Sequence, residues 1–137
     1  KNLESLKDKI NGSKNIYWHD KVGLEKYMEY VSSADWGIFL LENTCKSYNY
    51  ALANKLFDFL MARIPVVVSD LKEMGSFVQQ NRIGYVINIK DKAYIQEVLS
   101  KIRTNDSKKF FSRLDFVSKK YNWEEQEEVL LHLYRNL

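Results

Sequence analysis

Residues 49–70 read NYALANKLFDFLMARIPVVVSD and decide the fold class of this chain. A polar loop leads into residues 54–63, where few polar side chains interrupt the apolar ones, and this pattern predicts a short buried helix. Pro65, the only proline, cannot extend that helix and instead opens the β-branched run Val66-Val67-Val68, which predicts a strand. A short helix that passes directly into an apolar strand is typical of α/β proteins.

The same alternation continues on both sides of this stretch. Apolar runs predict further strands at residues 16–18, 36–41 and 84–87, the second of them buried on both faces. Six more helices are marked by apolar residues at helical spacing: Leu3, Leu6 and Ile10; Leu24, Tyr27, Met28 and Val31; Met74, Phe77 and Val78; Ile95, Val98, Leu99 and Ile102; Phe110, Leu114 and Val117; Leu130, Leu133, Tyr134 and Leu137. We therefore expect a single α/β domain over residues 1–137, with a Rossmann-like parallel sheet and flanking helices.

The composition excludes several function classes. The net charge of +3 is spread along the chain and lacks the clustered basic surface of a nucleic-acid-binding protein, so no nucleic acid partner is expected. At most, the mild positive charge allows a peripheral contact with a membrane surface. The single cysteine, Cys45, cannot form an internal disulfide and favours a reducing, cytoplasmic location. With His19 and His132 it makes no recognisable metal spacing, so no metal is expected.

Candidate ligand-binding segments follow from the predicted sheet. In open parallel sheets, ligands bind outside the carboxyl ends of the strands. Three segments meet this condition: residues 19–21, the loop 42–53 and residues 69–73. The loop is the strongest candidate, because about twelve residues exceed what a connection between two elements requires. Trp18 and the tyrosines Tyr48 and Tyr50 could stack on a base or sugar, although core packing is the simpler explanation for Trp18.

The start of the helix at 54–63 carries groups that suit a ligand with phosphates and hydroxyls. Free backbone N–H groups and Lys55 suit a phosphate, and Asp58, one turn further in, suits hydroxyls. Simpler explanations exist for each residue. Lys55 could be a solvated surface lysine, Asp58 could face water, and Asn54 and Ser69 could serve only as helix caps.

These segments resemble the donor-site region of group 1 (family 4) glycosyltransferases of the GT-B fold. The match rests on residues 54–62 (NKLFDFLMA) followed by Ile64-Pro65-Val66-Val67, on residues 30–38 (YVSSADWGI), on residues 84–87 (GYVI), and on residues 121–124 (YNWE) leading to Leu133-Tyr134. The resemblance covers nearly the whole chain in the right order. It implies the C-terminal, donor-binding half of such an enzyme, which transfers a sugar from a nucleoside-diphosphate sugar to an acceptor hydroxyl in polysaccharide or glycolipid biosynthesis.

The resemblance also implies roles for particular residues. The loop would wrap the donor sugar and diphosphate, Lys55 would neutralise phosphate charge, and Asp58 would receive the ribose hydroxyls. The implied donor-binding residues are Tyr50, Ala51, Leu52, Ala53, Asn54, Lys55 and Asp58, and the implied base-proximal residues are Trp18, His19 and Asp20. The donor would be a UDP- or GDP-sugar, transferred with retention of anomeric configuration and without a metal or other cofactor. The acceptor site and the catalytic base would lie mostly on a separate N-terminal domain, so no catalytic residue is assigned to this chain.

Two positions depart from the family pattern, and one part of it is missing. Tyr50 stands where many members carry the first of two glutamates, and Arg63 stands where they carry a glycine in an αL helix end. The chain also lacks the family's first strand-helix-strand, so we expect a truncated domain that is inactive alone. In the strand order 3-2-1-4-5-6 the missing strands would lie between the strands at 16–18 and 36–41. We expect the chain either to take strands from a second copy, as a homodimer, or to close up in an altered order.

Two other functions stay open at this point. A non-catalytic α/β interaction or regulatory domain would bind no nucleotide and would expose a patch made by the last two helices. A sugar-nucleotide epimerase of the same fold would need further acids and histidines outside this sequence. The base, the sugar and the acceptor are not determined by the sequence.

Overall fold

The structure is a computed structural model that describes residues 2–104 and 106–136, with side chains from Glu4 onward. Its elements, in chain order, are α1 (Asn2–Asn11), α2 (Leu24–Ser32), β1 (Gly37–Phe39), α3 (Lys46–Asn49), α4 (Asn54–Met61), β2 (Val66–Ser69), α5 (Lys72–Asn81), β3 (Gly84–Ile87), α6 (Lys92–Arg103), a 3-10 helix (Asp106–Phe110), α7 (Phe111–Lys120) and α8 (Trp123–Arg135). The predicted α/β class is confirmed.

The three strands form one parallel sheet in the order β1-β2-β3. β2 lies in the centre, where Val66 stands opposite Gly37 of β1 and Gly84 of β3. α4 connects β1 to β2, and α5 connects β2 to β3. All three carboxyl ends therefore lie on one edge of the sheet, and α4 and α5 both begin at that edge.

The two faces of the sheet are covered unequally. The larger core lies on the face of Val66 and Val68, where α4, α5 and α7 pack. Its buried residues are Leu56, Leu60, Val66, Val68, Leu71, Met74, Val78, Ile83, Phe110, Leu114 and Val117. The smaller core, on the other face, joins Val67 and Ile87 to Val98 of α6.

The strand predicted at 36–41 is shorter than expected and is not buried on both faces. β1 spans only Gly37–Phe39, and Ile38 is 55% exposed. Ile38 pairs with Val67 and so shares the face of the smaller core. That core is centred on β2, β3 and α6, which leaves the β1 side of this face open. The continuous apolar run therefore predicted more burial for this strand than the structure shows, because β1 is an edge strand.

The strand predicted at residues 16–18 is wrong. These residues lie in no helix or strand, and the side chains of Ile16 and Tyr17 are 54% and 79% exposed. A strand needs a neighbour that accepts and donates its backbone hydrogen bonds, and the sheet of the described residues gives this segment none. The chain also does not close up in an altered order within the described residues: β1, β2 and β3 lie as strands 4, 5 and 6 of the order 3-2-1-4-5-6, and residues 16–18 do not join them. Pairing with a second copy stays a prediction.

An aromatic cluster ties the 3-10 helix to β3. The Trp36 ring stacks on Tyr85 with 5.6 Å between the ring centroids, and Phe110 meets both rings edge-on. The Tyr85 hydroxyl donates to Asp106 Oδ2 at 2.6 Å and accepts from Lys109 Nζ at 2.7 Å. Lys109 also contacts Asp106 directly. A strand residue thus holds two of the three charged side chains of the 3-10 helix, Asp106 and Lys109.

Both crossover helices end in an arginine with positive φ. Arg63 follows α4 with φ 57° and Arg82 follows α5 with φ 54°. At the end of α4, the Arg63 N–H bonds the Leu60 carbonyl and the Ile64 N–H bonds the Phe59 carbonyl, the Schellman pattern. The αL helix end therefore forms although an arginine stands where the resembled family has a glycine. A side chain in this conformation costs about 1–2 kcal/mol.

Replacing Arg82 by glycine should stabilise the domain. Arg82→Gly is expected to raise the free energy of unfolding by about 1 kcal/mol, because glycine adopts φ near 54° without a Cβ penalty. Arg63→Gly should gain less, since it also loses the exposed ion pair between Arg63 Nη2 and Asp115 Oδ1 at 3.4 Å. Urea denaturation measures both. Gln96→Gly, inside α6, is the control and should lower the free energy of unfolding by about 1 kcal/mol. A loss of the same size for Arg82→Gly would show that the positive φ of Arg82 does not destabilise the domain.

The Asp106 contacts predict a pH dependence of stability. Hydrogen bonds from Lys109 and Tyr85 lower the pKa of the Asp106 carboxyl. Because the folded pKa lies below the unfolded value of about 3.9, the contacts stabilise the fold above that pH and are lost as the pH falls through the folded pKa. The stability difference between the wild type and Asp106→Asn should therefore be largest near neutral pH and shrink below about pH 4. Urea titrations at several pH values measure this difference. A difference that stays constant with pH would show that the charge of the Asp106 carboxylate does not contribute to stability.

Candidate active site at the carboxyl edge of the sheet

A cavity of about 510 Å³ opens at the carboxyl edge of the sheet. Its walls are residues 41–44 after β1, residues 69–71 at the end of β2 and residues 88–90 after β3. The polar residues that line it are Glu42, Asn43, Thr44, Ser69, Asp70, Asn88 and Lys90. All three strand ends thus contribute to one cavity, at the position where open parallel sheets bind their ligands.

Ser69 fixes the point at which the long loop leaves the sheet. It is the last residue of β2, is 2% exposed, and accepts a hydrogen bond from the Leu41 N–H on its Oγ at 2.7 Å. Asn54 is the first residue of α4, and the residue before it, Ala53, has no side chain that can cap. The simpler explanation of Ser69 and Asn54 as helix caps is therefore wrong, and the first turn of α4 keeps no side-chain cap.

The loop 42–53 is partly helical and is attached to the start of α5. Asn49, at the end of α3, accepts a hydrogen bond from the backbone N–H of Lys72 on its Oδ1 at 3.1 Å. The Lys72 ammonium lies 4.5 Å from the centroid of the Tyr50 ring. Leu71 precedes α5 and has no polar side chain, so Asn49 supplies the cap from a distant part of the sequence. No local pattern in the sequence indicated this contact, because Ser69 was expected to be able to cap this helix.

Lys55 and Asp58 meet around a tyrosine of α2. The Tyr27 hydroxyl donates to Asp58 Oδ2 at 2.8 Å and accepts from Lys55 Nζ at 2.7 Å. Lys55 Nζ lies 3.6 Å from Asp58 Oδ2 and 4.4 Å from the centroid of the Tyr27 ring. The side chain of Asp58 is 30% exposed, so solvent still reaches it. We call these three residues the Lys-Tyr-Asp group.

The Lys-Tyr-Asp group keeps its lysine charged. The hydrogen bond to Tyr27 raises the pKa of Lys55, burial acts in the opposite direction, and the negative charge of Asp58 adds to the rise. A cation and a carboxylate are thus held together on the first turns of α4, where the backbone N–H groups point towards the carboxyl edge of the sheet.

The three residues expected near a base lie beside α1 and α2. The Lys7 ammonium lies 4.9 Å from the centroid of the Trp18 ring, which is 39% exposed, so Trp18 is not a core residue. His19 meets Tyr30 of α2 edge-on, with 5.9 Å between the centroids, and Asp20 is exposed. α2 therefore contacts this segment through Tyr30 and the Lys-Tyr-Asp group through Tyr27.

The remaining expected residues connect α3 to α4. Ala51, Leu52 and Ala53 lie between the two helices, with Leu52 40% exposed. None of the residues expected to bind donor or base lines the cavity. Sequence reasoning missed Asn88 and Lys90 of the cavity wall, because the segment after β3 has no pattern of its own. Only the rule that parallel strands end at the same edge could have indicated them.

The described residues contain no group of three or more His, Cys, Asp or Glu side chains that could hold a metal ion. No helix in the described part of the chain is long and apolar enough to cross a membrane.

One known protein family matches the part of the chain that contains the sheet and the candidate site. The family described as "Glucosyltransferase 3-like, C-terminal domain" matches residues 2–123, a span that includes all three strands, the cavity and the Lys-Tyr-Asp group. No curated protein sequence and no solved structure matches the chain. The chain therefore belongs to the glucosyltransferase 3-like C-terminal domain family, as a glycosyltransferase C-terminal domain with a Rossmann-like α/β fold.

Proposed function

We propose that this domain binds the nucleotide-sugar donor of a glycosyltransferase of GT-B architecture. The observation that carries the proposal is the Lys-Tyr-Asp group on the first turns of α4, beside a helix start that has no side-chain cap. A lysine and free N–H groups suit a diphosphate, and a nearby carboxylate suits a ribose diol. Family membership supports a glucosyl group as the sugar transferred.

The donor would lie along the carboxyl edge of the sheet. The diphosphate sits at the first turn of α4 near Asn54 and Lys55, the ribose on Asp58, and the base towards residues 18–20. The sugar then extends along residues 50–53 towards the cavity at the strand ends. The carboxylates and amides that line this cavity, such as those of Asp70 and Asn88, are suitable partners for sugar hydroxyls.

The chemical contribution of this chain would be to bind the donor and to stabilise its leaving group. In the transfer, the bond between the anomeric carbon and the diphosphate breaks, a bond to the acceptor oxygen forms, and the acceptor loses its proton. Negative charge grows on the departing diphosphate, where the Lys55 ammonium and the helix N-terminus would stabilise it. We propose no metal requirement on this basis, and we propose retention of anomeric configuration from the resemblance to group 1 (family 4) glycosyltransferases.

The rest of the enzyme is also a proposal. The acceptor site and the catalytic base would lie on the N-terminal domain of the same enzyme, so this chain alone would not catalyse sugar transfer. We propose a polysaccharide or glycolipid acceptor and a cytoplasmic enzyme, with at most peripheral contact to the membrane face.

A non-catalytic interaction domain is the second candidate, and one observation favours it. Apolar side chains of the last two helices are widely exposed, with Phe116 at 59%, Trp123 at 66% and Tyr134 at 69%. Such a surface suits a protein partner. Nucleotide binding separates the two candidates, because only the donor-binding domain requires it.

Removing the Asp58 carboxylate should weaken donor binding. Asp58→Ala is expected to reduce the affinity for UDP-glucose or GDP-glucose by roughly 1–3 kcal/mol, the worth of charge-assisted hydrogen bonds to a diol. Isothermal titration calorimetry of the 137-residue chain measures this. Asp115→Ala is the control, because Asp115 pairs with Arg63 beyond the opposite end of α4. Unchanged affinity in Asp58→Ala would remove Asp58 from the site.

The cavity predicts a difference between a nucleotide and its sugar conjugate. Asn88→Ala and Asp70→Ala should weaken the binding of UDP-glucose by roughly 0.5–1.5 kcal/mol, the net worth of one hydrogen bond, and leave UDP nearly unaffected. Calorimetry with both ligands gives the comparison. Equal losses for UDP and UDP-glucose would place the sugar outside the cavity.

A further inference from the structure

Tyr27 of α2 has a position that the proposed function does not yet explain. Its helical spacing in the sequence predicts only an apolar residue of α2, yet its hydroxyl lies between the two charged side chains of α4. The contact joins elements 31 residues apart in sequence.

The hydrogen bonds of Tyr27 have a fixed direction. A phenolic hydroxyl has one proton, and here it is donated to Asp58 Oδ2, while Lys55 donates to the phenolic oxygen. Lys55 Nζ is 3.6 Å from Asp58 Oδ2, which is longer than a hydrogen bond. Among the described residues, no side chain or backbone group bonds Asp58 Oδ1. Oδ2 thus carries the hydrogen bond from Tyr27, and the Asp58 side chain as a whole is 30% exposed.

The Tyr27 hydroxyl adds a third partner to the pair of Lys55 and Asp58. Residues at i and i+3 are neighbours on a helix surface, and Lys55 Nζ lies 3.6 Å from Asp58 Oδ2, the distance of an ion pair. The Tyr27 hydroxyl bonds both charged groups, so it fixes the position of each one relative to α2 as well as to α4.

We propose that Tyr27 is the positioning residue of the donor site, an inference that rests on the proposed function. By holding Oδ2, its hydroxyl presents Oδ1 of Asp58 to the ribose diol. By accepting a hydrogen bond from Lys55, it holds the ammonium at the first turn of α4, where the diphosphate is proposed to lie. Tyr27 thereby sets the preference of the site for ribose over 2′-deoxyribose, although it makes no contact with the ligand itself.

The protonation state of the lysine agrees with this role. The hydrogen bond to Tyr27 raises the pKa of Lys55, so the ammonium stays charged across the physiological pH range. A charged lysine is what a diphosphate requires.

The test compares ribonucleotides with their 2′-deoxy counterparts. The dissociation constants of UDP, GDP, 2′-deoxy-UDP and 2′-deoxy-GDP are measured by calorimetry for the wild type and for Tyr27→Phe, which keeps the ring and removes the hydroxyl. We expect the wild type to prefer the ribonucleotide by roughly tenfold. Tyr27→Phe should reduce this preference by roughly three- to tenfold, with a smaller effect on the 2′-deoxy ligand. Tyr134→Phe, on the exposed surface of α8, is the matched control and should change neither constant.

The outcomes separate the two proposals. If the wild type binds none of the nucleotides, the proposed function is overturned, and the role of Tyr27 with it. If the wild type prefers ribose and Tyr27→Phe keeps the same preference, only the role of Tyr27 is overturned. Equal weakening of ribo- and deoxyribonucleotide binding would also overturn it, because a general loss of structure lowers both affinities without changing their ratio. Thermal denaturation of Tyr27→Phe verifies that the variant is folded.

Discussion

The close parallel pairing of β2 with both neighbours is the constraint on which the rest of the structure depends. The glycine at the first residue of β3 makes it possible beside Val66, and the glycine at the first residue of β1 leaves room for a side chain of α4. A Cβ at Gly84 would overlap the Val66 carbonyl oxygen, and a Cβ at Gly37 would enter the ring of Phe59. With the strands at this distance, the two crossover helices begin at the same edge and pack on the same core. The cavity and the Lys-Tyr-Asp group lie at the edge of the sheet that this pairing defines.

The parts of the fold that local physics determines could be predicted from the sequence. Pro65 ends a helix wherever it occurs in such a pattern, and the valines after it favour a strand in most contexts. The strand expected at residues 16–18 was wrong for the opposite reason. Its formation depends on a neighbouring strand, and the sequence of three residues carries no information about that neighbour. The exposure of Ile38 has the same origin, because it is decided by what lies beside β1 and not by β1 itself.

In the candidate site, too, the residues on one helix could be predicted from the sequence, and the residues that come from other elements could not. The positions of Lys55 and Asp58 on one helix face follow from their spacing. The resemblance to a glycosyltransferase family implied the role of each, with Lys55 at the phosphates and Asp58 at the ribose. Tyr27 and Asn49 reach their partners from other elements, at sequence separations of 31 and 23 residues. No local pattern marks such contacts. The structure therefore adds Tyr27 and Asn49, which support the site, and Asn88 and Lys90 of the cavity wall, whereas the sequence indicated Lys55 and Asp58.

Two of the hydrogen bonds described above act as anchors for the loop between β1 and α4. Ser69 holds the backbone at Leu41, and Lys72 holds the side chain of Asn49, so these bonds confine the part of the loop between them to residues 42–48. This segment includes the cavity wall at residues 42–44. Closure over a bound molecule would therefore immobilise only a short stretch of backbone, and the entropy lost in ordering it would be correspondingly small.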